Sequence, residues 1–465
     1  MRLRSSLTFL LIALLGAACS SSEGDAVDSV LSSPSSIFGA APDTSSGPLP
    51  ADTVAELDGI FGSLGSGIDA SAVARLGSSG DVRVAWLLTD LLRFLQPGTP
   101  AHGTAVEAWE ELTGRRAVGD GSDWGNTTDH LIAWDTPAPP GYVNWKRQVF
   151  ELVEPGWAPF FDDAEATIDW RQVSWGGVLI DDRPLDQTEL GCPEGCIPAL
   201  NDPALTDAAG GAWYSDDRIV FGVVVGDEAV AFPKNIMEVH EMVNMTVAGR
   251  RIGMPYCTLC GSAQAYFTDD IAPGTDLGDN LTYELRTSGL LSRSNKVMYE
   301  FHTRSVFDTF TGEAVSGPLR ELGVALDQVT VQTATWGDWK AAHPDTSIVA
   351  EDGGIGRTYS EDPLRGRDDN GPIFPIGDVD PRLPTQEPVI GVLLADGEAV
   401  AFRVSAAEEA QEAGERVEAG GVAISTDGAG FTAADALTGE PVAAHQAFWF
   451  AWSQFHPDTV LWDGP

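Results

Sequence analysis

Two short segments of this sequence bring together two of its five cysteines and one of its seven histidines, side chains that bind metals or carry out thiol chemistry. One is the Cys-x-x-Cys-Gly turn at Cys257 and Cys260, and the other is the adjacent pair His240 and Glu241. Such a turn points backbone amides at the sulfurs, as zinc and iron sites require. His240 would supply a third ligand, and Glu241 a general base or a group that orients a ligand. The segment predicts a transition-metal site, with zinc, copper or iron as candidates.

Alternatives remain open for these cysteines. They could form a structural disulfide or stay buried and inert, or they could be a catalytic thiol pair. A thioredoxin-like motif would begin a helix, whereas a strand is predicted after Cys260. Met298 and His302 are weaker candidates for a copper site, because methionines in apolar segments are more often core residues.

A second cysteine pair lies upstream, at Cys192 and Cys196. The three intervening residues include Pro and Gly and allow a tight turn. Either a small disulfide loop or a metal clip fits this spacing, and the pair could also complete a four-sulfur site.

The N-terminus predicts export and lipid anchoring. Residues 1–18 combine an Arg-containing start, a short apolar run and small residues, which is typical of a signal peptide. Cys19 follows directly, as in the lipobox of bacterial lipoproteins, although Gly16 stands where Leu is usual. Cys19 would then be lipidated, and residues 19–49 would be a flexible tether. We therefore expect a cell-envelope protein, periplasmic or surface-facing, that contacts the membrane through its lipid.

The charge excludes one class of partner. The chain has 27 Lys plus Arg against 69 Asp plus Glu, a formal net charge of −42. Such a field repels phosphate backbones, so we expect no nucleic-acid partner.

Residues 50–135 are predicted to form a helical domain resembling HEAT-type helix pairs or, equally, an irregular helical domain. Apolar residues from Val84 to Leu95 follow helical spacing, Asp81 is a suitable N-terminal cap, and Gly114 ends a second helix. Residues 136–216 are rich in Trp and Pro and are predicted to connect the domains as an extended segment.

Period-two patterns begin at Asp217 and predict strands over 218–225, 228–232, 250–256 and 262–268. Between the second and third of these, Pro233 predicts the start of a short helix that reaches about Asn244. His240 and Asn244 would share a face of that helix.

Three segments of residues 217–346 recur in the same order in residues 389–465. The first pair is IVFGVVVGDEAVAF and VIGVLLADGEAVAF, and the second is DTFTGEAV and DALTGEPV. The third pair shares the pattern Trp-x-x-Trp-x-x-x-His-Pro-Asp-Thr, with His343 in the first copy and His456 in the second. The second copy is shorter and lacks the His-Glu helix and the Cys turn, and residues 347–388 would link the copies. The predicted fold is α+β: a helical N-terminal domain followed by two unequal, duplicated β-rich repeats. Features present in both copies, including the two Trp-His segments, are interpreted as packing elements.

Three motifs carry a resemblance to a known family. HEMVN at 240–244, YCTLCGSA at 256–263 and TSGLLSRSNKVMY at 287–299 resemble the bacterial domain-of-unknown-function family 3179, over roughly residues 190–460. Met245 departs from the family's usual Asp, and the family generally lacks cysteines at 192 and 196. The resemblance therefore implies a site on His240, Cys257 and Cys260, and a local disulfide between Cys192 and Cys196. The family has no established activity.

The leading hypothesis is thus a lipid-anchored envelope protein with a Cys/His metal-binding or metal-linked redox site. A non-enzymatic scaffold or binding protein with a structural Cys pair is the alternative, and a thiol oxidoreductase is the second alternative. Whether the protein is an enzyme is left open by the sequence.

Overall fold

The computed structural model describes residues 35–117, 119, 121–184, 192, 195–269, 271, 282–367 and 371–464. The predicted signal peptide, Cys19 and the first part of the predicted tether lie outside the described residues. None of the helices in the described part of the chain is long and apolar enough to cross a membrane.

Helices dominate the first part of the chain, and shorter helices follow between the strands. They are α1 Ser35–Phe38, α2 Ala51–Gly62, α3 Ala70–Gly77, α4 Ala85–Phe94, α5 Pro100–Thr113, α6 Asp123–Ala133, α7 Tyr142–Val153, α8 Lys234–His240, α9 Pro318–Glu321, α10 Trp336–Ala342, α11 Val404–Glu412 and α12 Trp449–Phe455. Asp81 caps the 3-10 turn that leads into α4, and Gly114 adopts a left-handed conformation that ends α5. Both of these predicted helices are present.

Helix α7 corrects the prediction of an extended connection over residues 136–216. Tyr142, Trp145, Val149 and Phe150 are buried on one face of this helix. The side chain of Lys146 on the same face donates a 2.7 Å hydrogen bond to Asp90 of α4. The apolar spacing is helical, and the surrounding Trp and Pro residues obscured it.

The strands begin after the helical region. They are β1 Val173–Trp175, β2 Leu200–Asn201, β3 Leu205–Asp207, β4 Ile219–Val225, β5 Glu228–Pro233, β6 Met242–Val247, β7 Arg250–Cys257, β8 Ser262–Ala263, β9 Ala265–Phe267, β10 Leu285–Ser292, β11 Asn295–Glu300, β12 Val306–Asp308, β13 Ala314–Ser316, β14 Gln328–Val329, β15 Val331–Thr335, β16 Ser347–Val349, β17 Pro388–Leu393, β18 Ala399–Arg403, β19 Val417–Ala419, β20 Val422–Thr426, β21 Phe431–Asp435, β22 Pro441–Val442, β23 Ala444–Phe448 and β24 Val460–Trp462. The strands predicted from the period-two pattern are all among them, with the last divided into β8 and β9.

The strands form five sheets. In order across each sheet they are β1-β10-β11-β12-β13, then β14-β9-β7-β6-β2 with β8 paired to β7, then β15-β4-β5-β16-β3, then β23-β17-β18-β24, and finally β19-β20-β21-β22. The architecture is α+β, as predicted.

The helical region and the first sheet share one hydrophobic core. Leu87, Trp109 and Phe150 of the helices belong to the same buried cluster as Leu290 and Tyr299 of β10 and β11. The helices therefore bury their apolar faces against a sheet that also carries one of the motif segments.

Four strands of the third sheet are paired in the same way as the four strands of the fourth. In the third, β4 pairs antiparallel with β15 and β5, and β16 runs parallel to β5. In the fourth, β17 pairs antiparallel with β23 and β18, and β24 runs parallel to β18. In each sheet a short helix connects the antiparallel edge strand to the parallel strand: α10 lies between β15 and β16, and α12 between β23 and β24. Each of these helices contributes two fully buried tryptophans. The first and third repeated segments of one copy thus occupy the same places in the third sheet as their counterparts do in the fourth.

The interpretation of the Trp-His segments as packing elements is confirmed. Trp339 donates a hydrogen bond to Thr346 and Trp452 donates one to Thr459, at 2.8 and 3.0 Å. His343 and His456 terminate α10 and α12 and lie against those same tryptophan rings.

The second copy also has a helix after its second strand. Helix α11 follows β18 just as α8 follows β5. Its sequence, VSAAEEAQE, is rich in strong helix formers, which explains the longer helix. What this copy lacks at that place is the His-Glu pair.

Candidate functional site

Helix α8 ends at His240 because Glu241 adopts a left-handed backbone conformation with φ 52°. The chain then turns directly into β6, which pairs with β7. The prediction that the helix continues to Asn244 is therefore wrong, and His240 and Asn244 do not share a helical face. The side-chain amide of Asn244 instead exchanges hydrogen bonds with the backbone of Leu285 and so joins the second sheet to the first.

Both ring nitrogens of His240 are occupied. Nδ1 lies 2.8 Å from the carbonyl oxygen of Pro198, which can only accept, so Nδ1 carries the proton. Nε2 then accepts a 2.8 Å hydrogen bond from the hydroxyl of Tyr359. Burial disfavours the charged ring and lowers the pKa of His240 to about 4. His240 is therefore a neutral, doubly hydrogen-bonded residue of the interior.

The Cys turn lies at the end of β7. Residues Thr258–Cys260 form a 3-10 turn, and Gly261 follows with φ 58°, a conformation that glycine adopts without strain. The sulfur atoms of Cys257 and Cys260 are 2.7 Å apart, and that of Cys260 lies 3.4 Å from the carbonyl oxygen of Ser294. A strand, β8, follows the turn, as predicted.

Burial makes Cys260 a poor nucleophile. Loss of solvation of the thiolate, and secondarily its contact with Cys257, raise the pKa of Cys260 well above its ordinary value. Reactive catalytic thiols have lowered pKa values and partial exposure. The thiol oxidoreductase alternative therefore gains no support from the environment of Cys260.

Of the predicted metal ligands, Cys257 and Cys260 lie side by side. Within the described ranges, no group of three or more His, Cys, Asp or Glu side chains could hold a metal ion. His240 thus lies apart from Cys257 and Cys260. Cys192 and Cys196 form a disulfide in this structure, so they do not complete a four-sulfur site either.

The two weaker metal candidates also lie in different surroundings. Met298 is fully buried in an apolar cluster with Met242 and Leu285. The ring of His302 lies near the surface, with Nε2 3.2 Å from the carbonyl oxygen of Thr282. Met298 is therefore a core residue.

Glu241, the candidate catalytic residue, has a partner that the sequence did not indicate. The ammonium of Lys296 donates a 2.5 Å hydrogen bond to the carbonyl oxygen of Glu241 and lies 3.4 Å from its carboxylate. Thr258 lies 3.3 Å from the other carboxylate oxygen. Burial lowers the pKa of Lys296, and the charge of Glu241 opposes that effect. Glu241 and the buried Lys296 thus form an ion pair beside the Cys turn.

These side chains line one cavity of about 180 Å³. Glu241, Thr258 and Lys296 belong to its polar part, and Val178, Leu290 and Phe374 contribute to its apolar wall. Glu238, Thr287 and Arg367 also line it. We call this space the motif cavity, because residues of all three motif segments, 240–244, 256–263 and 287–299, reach it. The sequence signal for Lys296 was available: it is a charged residue in an otherwise strand-like stretch of the third motif.

The fold and this site define an α+β protein with a small, mixed polar and apolar cavity where three separate segments meet. The chain belongs to the family described as "Protein of unknown function (DUF3179)", whose profile matches residues 194–439. No curated protein and no solved structure matches the chain significantly.

Proposed function

We propose that this protein binds a small, largely apolar molecule with a carbonyl or carboxylate group in the motif cavity. The observation that carries the proposal is the convergence of three motif segments on one cavity with the amine of Lys296 in its wall. Binding sites are typically apolar pockets with a few convergent polar groups, and this cavity has that composition.

The size and polarity of the cavity define the ligand. A volume of about 180 Å³ corresponds to roughly six water molecules of the liquid, so the ligand is small. The ammonium of Lys296 donates hydrogen bonds and accepts none, so it selects an oxygen acceptor. The side chains of Leu290 and Phe374 favour an apolar remainder.

The test is a ligand series measured by thermal shift and calorimetry. It runs from acetate to hexanoate and includes the matching aldehydes, ketones and amides. Lys296→Met keeps the side-chain volume and removes the amine, and we expect it to weaken binding by about tenfold or more, since a charged hydrogen bond is lost. Lys340→Met is the control, because Lys340 lies on α10 and pairs with Asp216 outside the cavity.

The outcome that sinks the proposal is an absence of binding across the series, or equal binding by wild type and Lys296→Met. Should Lys296→Met fail to fold, Thr258→Val removes a second polar group of the cavity and gives an independent answer. Folding of each variant is checked by circular dichroism.

We also propose that the protein is exported and lipid-anchored at Cys19. The signal-like residues 1–18 support this, and a disulfide such as Cys192–Cys196 is typical of exported proteins. Mass spectrometry of the membrane fraction tests it: a diacylated N-terminal Cys19 is the expected result, and an unmodified Met1 contradicts it.

Metal binding is a second candidate function, supported by the close approach of the Cys257 and Cys260 sulfur atoms. Thiolates suit zinc, copper(I) and iron, and the neighbouring carbonyl of Ser294 would supply an oxygen. Elemental analysis of tag-free protein is the test. About one equivalent of metal that is lost in Cys257→Ser supports this candidate, and metal-free wild-type protein removes it.

We further propose that residues 217–346 and 389–465 descend from one duplicated unit. The equivalent pairing of β4, β5, β15 and β16 with β17, β18, β23 and β24 supports this descent. The motif cavity would then be a specialisation of the first copy, whose own Glu241 and Cys turn contribute to it.

A further inference from the structure

A second, larger cleft is lined by Tyr359, whose hydroxyl contacts His240. It has a volume of about 590 Å³, within the usual range for ligand sites. Its lining includes Thr206, Trp213, Asn235, Asp352, Arg357 and Tyr359. We call it the Trp213 cleft. These residues come from β3, the 3-10 turn Gly210–Trp213, the first turn of α8 and the loop after β16.

Three buried polar atoms of this cleft have no hydrogen-bond partner in the described part of the chain. They are Nε1 of Trp213, Oδ1 of Asn235 and Nη1 of Arg357. Buried polar groups in native proteins are nearly always paired, so three unpaired atoms around one cleft need an explanation. A bound ligand that supplies one acceptor for each N–H and one donor for the carbonyl oxygen would provide it.

Asn235 is the most informative of the three, because its side chain is held in place. Its residue is only 3% exposed, and its Nδ2 donates a 3.0 Å hydrogen bond to the carbonyl oxygen of Ser360. The amide orientation is therefore fixed by the protein, and Oδ1 remains as a preorganised acceptor. Preorganisation of this kind is what a binding site requires.

The charges of the cleft argue against an anionic ligand. Arg218 and Arg357 contribute two positive charges, whereas Glu351, Asp352 and Glu361 contribute three negative charges. Arg218 is also engaged with the ring of Tyr214, and donates a hydrogen bond to the backbone of Glu361. A neutral ligand meets no net repulsion here, and carboxylates can accept hydrogen bonds from its hydroxyl groups.

We propose that the Trp213 cleft binds a neutral polyhydroxylated molecule of the saccharide class. A hydroxyl group both donates and accepts hydrogen bonds, so adjacent hydroxyls satisfy the two N–H donors and the Asn235 acceptor together. The Trp213 ring offers an apolar face with a polar edge, which suits a sugar ring whose own faces alternate in polarity.

The experiment titrates the purified protein with defined neutral saccharides and follows binding by calorimetry. The probes are glucose, galactose, mannose and N-acetylglucosamine, with their α1,4- and β1,4-linked disaccharides, and glucuronate as an acidic counterpart. Trp213→Phe keeps an aromatic ring and removes the N–H, and we expect about a tenfold loss of affinity. Trp462→Phe is the matched control, because Trp462 is a partly buried tryptophan of β24 outside the cleft.

The proposal is supported if at least one neutral saccharide binds and Trp213→Phe, but not Trp462→Phe, weakens it. It is overturned if no probe binds, if Trp213→Phe binds as tightly as wild type, or if glucuronate binds more tightly than the neutral sugars. Asn235→Ala serves as a second variant should Trp213→Phe fail to fold.

Discussion

Two adjacent residues of the first motif have different roles. His240 is neutral, buried and fully hydrogen-bonded, whereas Glu241 holds the ammonium of Lys296. The sequence located this pair and the Cys turn. In the structure His240 contacts Pro198 and Tyr359, and the sulfur of Cys260 lies beside Ser294. Lys296 was missed because 55 residues separate it from Glu241, and only the folding of β11 brings them together.

The pKa of His240 makes a prediction about acid stability. The folded-state pKa of about 4 lies below the ordinary value of 6.5, so the unfolded chain binds more protons between these two pH values. The contribution of His240 to the free energy of unfolding is therefore fully present above about pH 6.5. It is lost as the pH is lowered towards 4, by up to ~1.4 kcal/mol per pH unit. His445 and His456, with pKa values of about 3 and about 4, act in the same direction.

We expect His240→Gln to reduce the loss of stability between about pH 7 and about pH 5. Glutamine does not titrate, so the variant lacks the side chain that takes up a proton on unfolding in this range. Urea unfolding at the two pH values measures it. His302→Gln is the control, because its ring is at the surface. An unchanged pH dependence in His240→Gln would show that His240 is not held neutral.

At the level of elements, local patterns predicted strands and helix ends well where a single periodicity dominates. The strands from 218 to 268 and the termination of α5 at Gly114 follow from period and glycine position. The end of α8 does not follow from such patterns, because the left-handed conformation of Glu241 depends on contacts between segments that are distant in the sequence. Glu241 receives hydrogen bonds at its carbonyl from both Lys296 and Tyr256, and these hold it in place.

Glycines in β4 and β17 allow the tryptophans of α10 and α12 to pack on the sheets. A Cβ atom on Gly222 would lie 2.0 Å from the Trp339 ring, and one on Gly391 would lie 2.2 Å from the Trp452 ring. We expect Gly222→Ala and Gly391→Ala each to lower the free energy of unfolding by ~1–3 kcal/mol or more, because the buried rings cannot move aside freely.

Gly59→Ala is the matched control for these variants. Gly59 lies inside α2, and nothing is within 4 Å of the added methyl group. Alanine there should stabilise the protein by roughly 0.5–1 kcal/mol. Chemical denaturation compares all three, and equal stability of Gly222→Ala and wild type would contradict the packing of Trp339.

At the scale of the whole molecule, the helical region is not independent of the sheets. Its core continues into β10, β11 and β12 through Leu290, Tyr299 and Val306. The sequence predicted the helices from their spacing and a boundary near residue 135 from a change in composition. It could not predict the shared core, because amphipathic spacing shows that a helix has an apolar face but not what covers it.

This shared core predicts the behaviour of a fragment. Residues 50–135 expressed alone would expose the faces that contact the first sheet, so we expect no cooperative thermal transition and poor dispersion of amide resonances. Extending the fragment through residue 316 restores the strands that complete the core. A stable, cooperatively folded 50–135 fragment would contradict the shared core.

The position of the His240–Glu241 dipeptide has a consequence if both proposed sites bind their ligands. His240 contacts Tyr359 of the Trp213 cleft, and Glu241 lines the motif cavity, so one dipeptide touches the lining of both compartments. If an occupant of one compartment displaces this dipeptide, the affinity of the other compartment for its own ligand changes. Thermodynamic linkage then requires the effect to be reciprocal and equal in both directions. Binding of one molecule would thus change the affinity of the protein for a second, chemically different molecule through a single dipeptide.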